Sequence, residues 1–407
     1  MKKQAALSLT LFLFLLMLSL SAFSVRAEIG LINKQLTLKD GEKDFVFSFG
    51  VSPYLERKAR EKGGFYHLFK EEASKGYATL YESLYNLNPK LLSFCKSIEQ
   101  KYYIPPKNAK LIIEKSYPFF RYEREDKGKE LDKEALARDI LLAIDGKIPC
   151  VKTKTKSVES EITKEMLLEQ TALKASFTTA FFTSRENRCH NIALASSMIN
   201  GCVVQPKEEF SFNRLVGKRE KERGFRDSTV ILKGKYTEGV GGGICQVSTT
   251  LYNCALLGGM DIKQVFGHSL LPAYVSPSRD AMVSEYSDFV FINPDDYPVF
   301  IFSEIKDKTI TFYLYGKKDG ARRSIEWEKI KALPFQNKDE DGNPLLSTEG
   351  YDLMYEGKDG VISQSFLITD IHGKKTKKAI RKDFYQKSDA IYAKRFSDKE
   401  NKAQHSP

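Results

Sequence analysis

The sequence predicts an α+β protein of several domains, with helices packed on a mainly antiparallel sheet. Three observations lead there. The chain has 407 residues, about 380 of them beyond an apolar N-terminal segment, which is room for two or three domains. Apolar positions recur at helical spacing in some segments and as strand-like runs in others. Between residues 287 and 315 an apolar and aromatic series is broken only by short polar turns, the pattern of an antiparallel meander.

The elements follow in chain order. Lys2 and Lys3 precede an apolar run from Ala5 to Phe23, and Val25-Arg26-Ala27 fits a small-x-small cleavage site. Residues 1–27 therefore read as a secretory signal peptide, with the mature chain starting at Glu28. An uncleaved anchor is the alternative, because a spanning helix needs about 20 apolar residues. Both readings put the rest of the chain outside the cytoplasm. Residues 28–108 form an N-terminal α/β region, with a strand-like run from Phe45 to Phe49 and a helical series Leu80, Leu84, Leu87, Leu91. From 109 to 178 the pattern predicts a strand at Leu111 to Ile113 and a helix capped by Asp132 and stopped at Gly146. An extended polar stretch and a helix from Glu165 to Leu173 follow. In the region 179–318 a helix runs from Asn187 to Asn200 and is closed by Gly201. Strands are expected at Phe210 to Asn213 and Ser228 to Lys233, and then at Ser287 to Asn293, Pro298 to Ile305 and Thr309 to Tyr315. The last region, 319–407, is polar and β-rich, and carries no catalytic signal.

The most informative stretch is Gly239-Val-Gly-Gly-Gly-Ile-Cys-Gln-Val-Ser-Thr-Thr-Leu-Tyr252. Its glycines allow backbone geometries closed to other residues and keep side chains away from an approaching ligand. After Cys245, apolar positions fall at Val247, Leu251, Cys254, Ala255 and Gly258, one face of a helix that Gly258-Gly259 would end. Cys245 thus opens a helix, where unpaired amides and the dipole favour a thiolate and can hold an oxyanion. The plain alternative is a tight turn beside a buried, inert cysteine. A nucleophilic cysteine needs a base, and the chain has five histidines. His268, shortly after the helix, is the nearest. His190 is the next candidate, on a helix where a structural role is the simpler one. No Cys-x-x-Cys or His-Glu-x-x-His spacing points to a metal, and the glycine run lacks the lysine and hydroxyl of a phosphate loop. No metal and no cofactor are expected.

A longer series of residues carries a resemblance. It comprises Asn187-Arg188, His190-Asn191-Ile192, Ile199-Asn200-Gly201, Phe210-Ser211-Phe212-Asn213, Val216-Gly217, the glycine–cysteine core, His268-Ser269, Tyr274-Val275, Asp280-Ala281, Asp288-Phe289 and Asn293. In this order they resemble the VanW family of exported bacterial cell-wall proteins. Two details depart from the family pattern: Phe225 follows Gly224 where tyrosine is common, and Pro277-Ser278-Arg279 lacks a glycine before Asp280. Some members resemble L,D-transpeptidases, which cross-link peptidoglycan stem peptides. The resemblance implies Cys245 as nucleophile and His268 as base, with Asp280 or Asp288 orienting the imidazole. It also implies oxyanion or substrate contacts from Gly242, Gly243, Gln246, Ser248, Tyr274 and Arg279. Arg188, Arg279 and Tyr274 are candidates to meet a substrate carboxylate or amide, although structural ion pairs or hydrogen bonds explain each as simply. Hydrolysis by the same pair, and a non-catalytic wall-binding or scaffolding role, remain open. Residues 109–178 resemble a peptidoglycan-binding module that often precedes this domain, and 361–392 resemble a G5-like tail.

The formal net charge is +11, of which Lys2, Lys3 and Arg26 contribute three. In an exported chain such an excess suits peptidoglycan and the anionic polymers of the cell wall rather than nucleic acid, and a membrane only if the signal segment stays attached. Six cysteines are sparse for this length. Cys245 and Cys254 cannot bridge within one helix, because nine residues at about 1.5 Å each exceed the roughly 7 Å limit between Cα atoms.

Overall fold

A computed structural model describes residues 31–40, 43–76, 79–232 and 235–395. Residues 1–27, where a signal peptide is expected from the sequence, lie outside them. Among the described residues two compact units emerge: 31–109 with 125–161, and 110–124 with 162–395. No helix among the described residues is long and apolar enough to cross a membrane.

The first unit pairs strands Ile32–Asp40 and Lys43–Val51 antiparallel and adds Val151–Lys152 in parallel. Its core packs Leu36 and Leu38 from this sheet against Phe65, Phe69, Leu84, Leu91, Leu136 and Ile140 from the helices. The helix Lys133–Ile144 starts where the sequence places it, with Asp132 accepting a hydrogen bond from the Ala135 amide. The leucine series behaves differently. Leu84, Leu87 and Leu91 are all buried, but they belong to two helices, Leu84–Leu87 and Pro89–Tyr102. Pro89 has no N–H to continue the first helix and is well suited to begin the next, with Asn88 as its cap.

The second unit is built on a four-stranded antiparallel sheet in the order Ala172–Ala180, Thr309–Gly316, Val299–Lys306, Cys202–Val204. Helices Glu186–Ile199 and Ile244–Leu257 pack on it. The core between them includes Ile192, Ala195, Ile199, Val247, Leu251, Cys254, Phe312 and Leu314, all fully buried. A smaller sheet holds Glu209–Ser211, Val290–Ile292 and Asp261–Gln264. The α+β class with helices on antiparallel strands is therefore what the chain adopts.

Several local expectations change. The strand at Phe210 stops at Ser211, whose hydroxyl accepts from the Arg214 amide and starts a short helix, Phe212–Val216. The meander is split. Val290–Ile292 joins the smaller sheet, while Val299–Lys306 and Thr309–Gly316 pair in the larger one. Asn293 makes the crossing, donating Nδ2 to the carbonyls of Val204, Gln205 and Tyr297. The edge strand Ala172–Ala180 was not anticipated, because its many polar residues resemble a loop. Past residue 320 the chain forms a three-stranded antiparallel sheet, Arg322–Leu333, Gly360–Ile371 and Lys374–Tyr385. A second sheet there joins Asn337–Asp339, Ala390–Lys394 and Tyr351–Tyr355.

Candidate active site

The glycine run does what its composition suggests. Gly241 and Gly243 have φ values of +87° and +107°, a region that favours glycine. A Cβ on Gly242 would lie 2.4 Å from the Thr229 carbonyl oxygen, so the loop fits closely against the strand Asp227–Leu232. The helix Ile244–Leu257 begins directly after it, with Gly243 as its N-cap. The amides of Ile244 and Gln246 are engaged by the Gly241 and Gly243 carbonyls. The Cys245 amide has no acceptor among the described residues. The Cys245 side chain is half-buried on the wall of a cleft of about 660 Å³.

This helix is buried on its polar side as well as its apolar one. Ser248 donates to the Ala281 carbonyl at 2.6 Å, and Thr249 Oγ1 accepts from the Ala281 amide at 2.9 Å. Asn253 donates to the Arg279 carbonyl at 2.8 Å and accepts from Arg279 Nε at 2.9 Å. The backbone on both sides of Asp280 is thus fastened to the helix that carries Cys245.

Asp280 is fully buried. Its Oδ2 accepts from the His268 amide at 2.7 Å and from His268 Nδ1 at 2.6 Å. Nε2 is then the ring nitrogen left to serve the Cys245 thiol, which itself donates to the Val283 carbonyl at 3.4 Å. Asp280 Oδ1 accepts from Arg381 Nη2 at 2.5 Å and from Tyr385 Oη at 2.6 Å. Both donors stand on the strand Lys374–Tyr385, in the region that carries no catalytic signal at the level of sequence. Tyr385 Oη also accepts from the Ser278 amide at 2.8 Å, and the Gln386 amide donates to the Ser269 carbonyl at 2.7 Å. The C-terminal segment therefore holds the loop that carries His268 and Asp280 at several points.

The charges follow from these contacts. Burial opposes ionisation of Cys245, but the hydrogen bond and positive charge of His268 outweigh it, with help from Arg219, and the thiol is held below its ordinary range. Burial would likewise lower His268, yet the Asp280 and Cys245 hydrogen bonds raise it to about 10. Asp280 would be pushed up by burial, but His268 and Arg381 bring it down to about 2. Both directions favour the thiolate–imidazolium form of the pair over the neutral one. Cys254, on the same helix, is fully buried and driven well up by desolvation. All six cysteines are free.

The remaining candidates divide. Gly242, Gly243 and Tyr274 line the cleft with Cys245 and His268. Burial and the nearby Cys245 charge keep the Tyr274 phenol protonated. Gln246 reaches the lining, but its side-chain amide donates inward to Thr179 Oγ1 and the Ala180 carbonyl. Ser248 serves the Ala281 contact. Arg279 is held by Asn253 and lies over the Phe177 ring, outside the cleft lining. Asp288 accepts from Ser211 Oγ and the Asn213 amide, fixing the short helix rather than an imidazole. His190 bonds the Gly224 carbonyl. No cluster of metal-binding side chains occurs among the described residues. Sequence reasoning missed Arg219, Arg381 and Tyr385. Arg219 carries no local pattern, and the other two come from more than 100 residues away.

Comparison with known proteins adds three findings. Residues 187–315 match the family model described as "VanW like protein", and residues 75–150 match "Putative peptidoglycan binding domain". The chain is 34% identical over 230 residues to the uncharacterized protein YoaR of Bacillus subtilis (strain 168), covering 56% of this chain and 74% of that one. It is 31% identical over 141 residues to the vancomycin B-type resistance protein VanW of Enterococcus faecalis (strain ATCC 700802 / V583), covering 33% of this chain and 51% of that protein. A crystal structure of HP0197-G5 aligns at 19% identity and a TM-score of 0.11, covering 18% of this chain and 97% of that one.

Proposed function

The chain belongs to the VanW family, and we propose that it is an extracytoplasmic, cell-wall-associated acyltransferase acting on peptidoglycan stem peptides through Cys245. The peptidoglycan-binding match over residues 75–150 supports a role at the wall. One observation carries the chemistry: the line from Cys245 through His268 to Asp280 at the wall of an open cleft.

The Cys245 thiolate attacks an amide carbonyl carbon of the stem peptide. The oxyanion that develops is met by the Cys245 amide at the helix start and by the Tyr274 phenol. As the C–N bond breaks, the His268 Nε2 proton passes to the departing amine, leaving a thioester and a neutral imidazole. An acceptor amine then attacks the thioester and gives its proton to His268. The C–S bond breaks and the thiolate–imidazolium pair returns. Asp280 fixes the ring orientation through Nδ1 and stays ionised throughout.

The test is to incubate the protein with defined stem peptides and follow the products by mass spectrometry. A cross-linked product together with a covalent adduct on Cys245, both absent in Cys245→Ala, is the expected result. Release of the terminal residue without cross-linking would reassign the reaction to hydrolysis. Binding to peptidoglycan with no turnover would reassign the protein to a wall-binding role.

A further inference from the structure

The second unit carries another groove, of about 770 Å³, which shares no lining residue with the Cys245 cleft. One wall is the unbroken run of residues 259–266, which includes the strand Asp261–Gln264. Successive side chains of a strand point to opposite faces. A wall to which every consecutive residue contributes is therefore the edge of the strand and not one of its faces. That edge is open among the described residues. Asp261–Gln264 is the last strand of its sheet and pairs with Val290–Ile292 on one side only. Residues 261–265 give an edge of about 16 Å at a rise of about 3.3 Å each, close to the length of an ordinary strand. A lysine often guards such an edge. Here Lys263 reaches across the sheet instead, to Glu209 on the strand Glu209–Ser211 two places away.

The other wall is residues 378–381 of the strand Lys374–Tyr385, also the last strand of its sheet. Leu256, Met260, Ile262, Leu367 and Ile380 supply apolar lining, and Phe266 is 38% exposed at one end of the first wall. The charges are one-sided. Lys263, Arg323, Lys378 and Arg381 are basic, and Asp261 is the one acidic side chain of the lining. Lys263 is bonded to Glu209, Arg323 to Asp319, and Arg381 to Asp280 and Asp383, all carboxylates outside the lining. Lys378 is exposed and bonds no acidic side chain among the described residues. The groove therefore offers an unpaired strand edge, an apolar floor and a cation without a counter-charge.

We propose that this groove docks an extended segment of a partner protein in which apolar and acidic residues alternate, added as a strand to the free edge of Asp261–Gln264. Main-chain hydrogen bonds along the edge supply affinity, and the alternating side chains supply the choice of partner. The apolar set covers the apolar lining, and a carboxylate of the other set meets Lys378. A polyanion fits less well, because it has no amides for the edge and nothing apolar for the lining. The inference does not depend on Cys245 being a nucleophile. Arg381 belongs both to this wall and to the clamp on Asp280, so the test leaves it untouched.

Fluorescence anisotropy on the full chain tests it. The probe is dye-labelled acetyl-Val-Glu-Val-Glu-Val-Glu-amide, and the same peptide with lysine in place of glutamate is the control. The acidic peptide should bind saturably and the basic one should not. Lys378→Glu should weaken binding by about tenfold or more, the loss of a charge-assisted contact, with the melting temperature unchanged. Two further probes carry N-methyl groups on the valine amides or on the glutamate amides. Each keeps every side chain and loses the hydrogen-bond donors along one edge of the peptide. One of them should lose binding while the other retains it. If the two behave alike, strand addition is overturned. If the acidic peptide does not bind, or binds Lys378→Glu as tightly as the unchanged chain, the docking site is overturned. Displacement by inorganic polyphosphate as effective as by unlabelled peptide would assign the groove to anionic polymers and overturn the proposal as well.

Discussion

At the scale of single residues, Asp280 is the junction of the site. It accepts two hydrogen bonds from His268 and one each from Arg381 and Tyr385. Asp280→Asn removes the anion shared by an imidazolium and a guanidinium, and should cost about 3–5 kcal/mol of stability, as breaking a buried ion pair does. Denaturant unfolding measures this, and a change below about 1 kcal/mol would mean that Asp280 is not the shared counter-charge. Tyr385→Phe keeps the ring and loses one hydrogen bond to a charged group, so about 2 kcal/mol is expected. The pH dependence follows from the directions of the shifts. His268 is raised from 6.5 to about 10. Its contribution is therefore complete below pH 6.5 and disappears as pH rises through about 10. Asp280 is lowered from 3.8 to about 2, so its contribution is complete above pH 3.8 and disappears as pH falls through about 2. The unfolding free energy of the protein minus that of His268→Ala should shrink across the alkaline window. A flat difference from pH 6 to 10 would remove the imidazolium from the resting state. Cys245 and His268 were legible in the sequence because a glycine loop and a nearby histidine are local signals. Arg381 was not, because a basic residue on a lysine-rich strand reads as solvent-facing until the fold buries it.

At the scale of elements, the glycine loop and its helix do the positioning. Gly242→Ala would force a Cβ against the Thr229 carbonyl at 2.4 Å, a backbone atom that cannot swing aside. The substitution should destabilise the protein by more than 2 kcal/mol and slow Cys245 alkylation. Gly320→Ala meets nothing within 4 Å and carries only the positive-φ penalty at +75°, so about 1 kcal/mol is expected. Parallel thermal melts compare the two, and equal losses would show that the loop tolerates displacement. The sequence revealed this helix through the spacing of Val247, Leu251, Cys254 and Ala255, and its limits through glycines. Its burial on every side was hidden. Ser248 was expected to contact substrate or oxyanion, and Thr249 and Asn253 carried no expectation, whereas all three hold the backbone around Asp280. Periodicity reports apolar faces and is silent about buried polar ones whose partners lie elsewhere. The strand Ala172–Ala180 was missed for the same reason, since its many polar residues acquire meaning only from their neighbours.

At the scale of the whole molecule, the second unit includes the chain after residue 317 in the same body as the cysteine helix. A chain ending at Gly316 retains Cys245, His268 and Asp280 but lacks Arg381 and Tyr385. It should bind peptidoglycan through its first unit while Cys245 alkylates at least tenfold more slowly near neutral pH, about the loss expected when one charge-bearing support is withdrawn. Unchanged labelling would show that the C-terminal sheet only decorates the site. The regional boundaries were harder to read than the elements. The chain enters the second unit at Lys110, returns to the first at Glu125 and leaves again after Glu161, and a linear scan of composition has no mark for such an excursion.

The clamp on Asp280 also sets an order in time. A ribosome makes Cys245, His268 and Asp280 well before Arg381 and Tyr385, with about 100 residues still to come. Through that interval the carboxylate lacks its cation and its phenol. On the proposed reading, a chain that has not yet docked the strand Lys374–Tyr385, or has lost it to a protease, holds Cys245, His268 and Asp280 without the contacts that fix the carboxylate, and pairing of that last strand is the step that would complete the site.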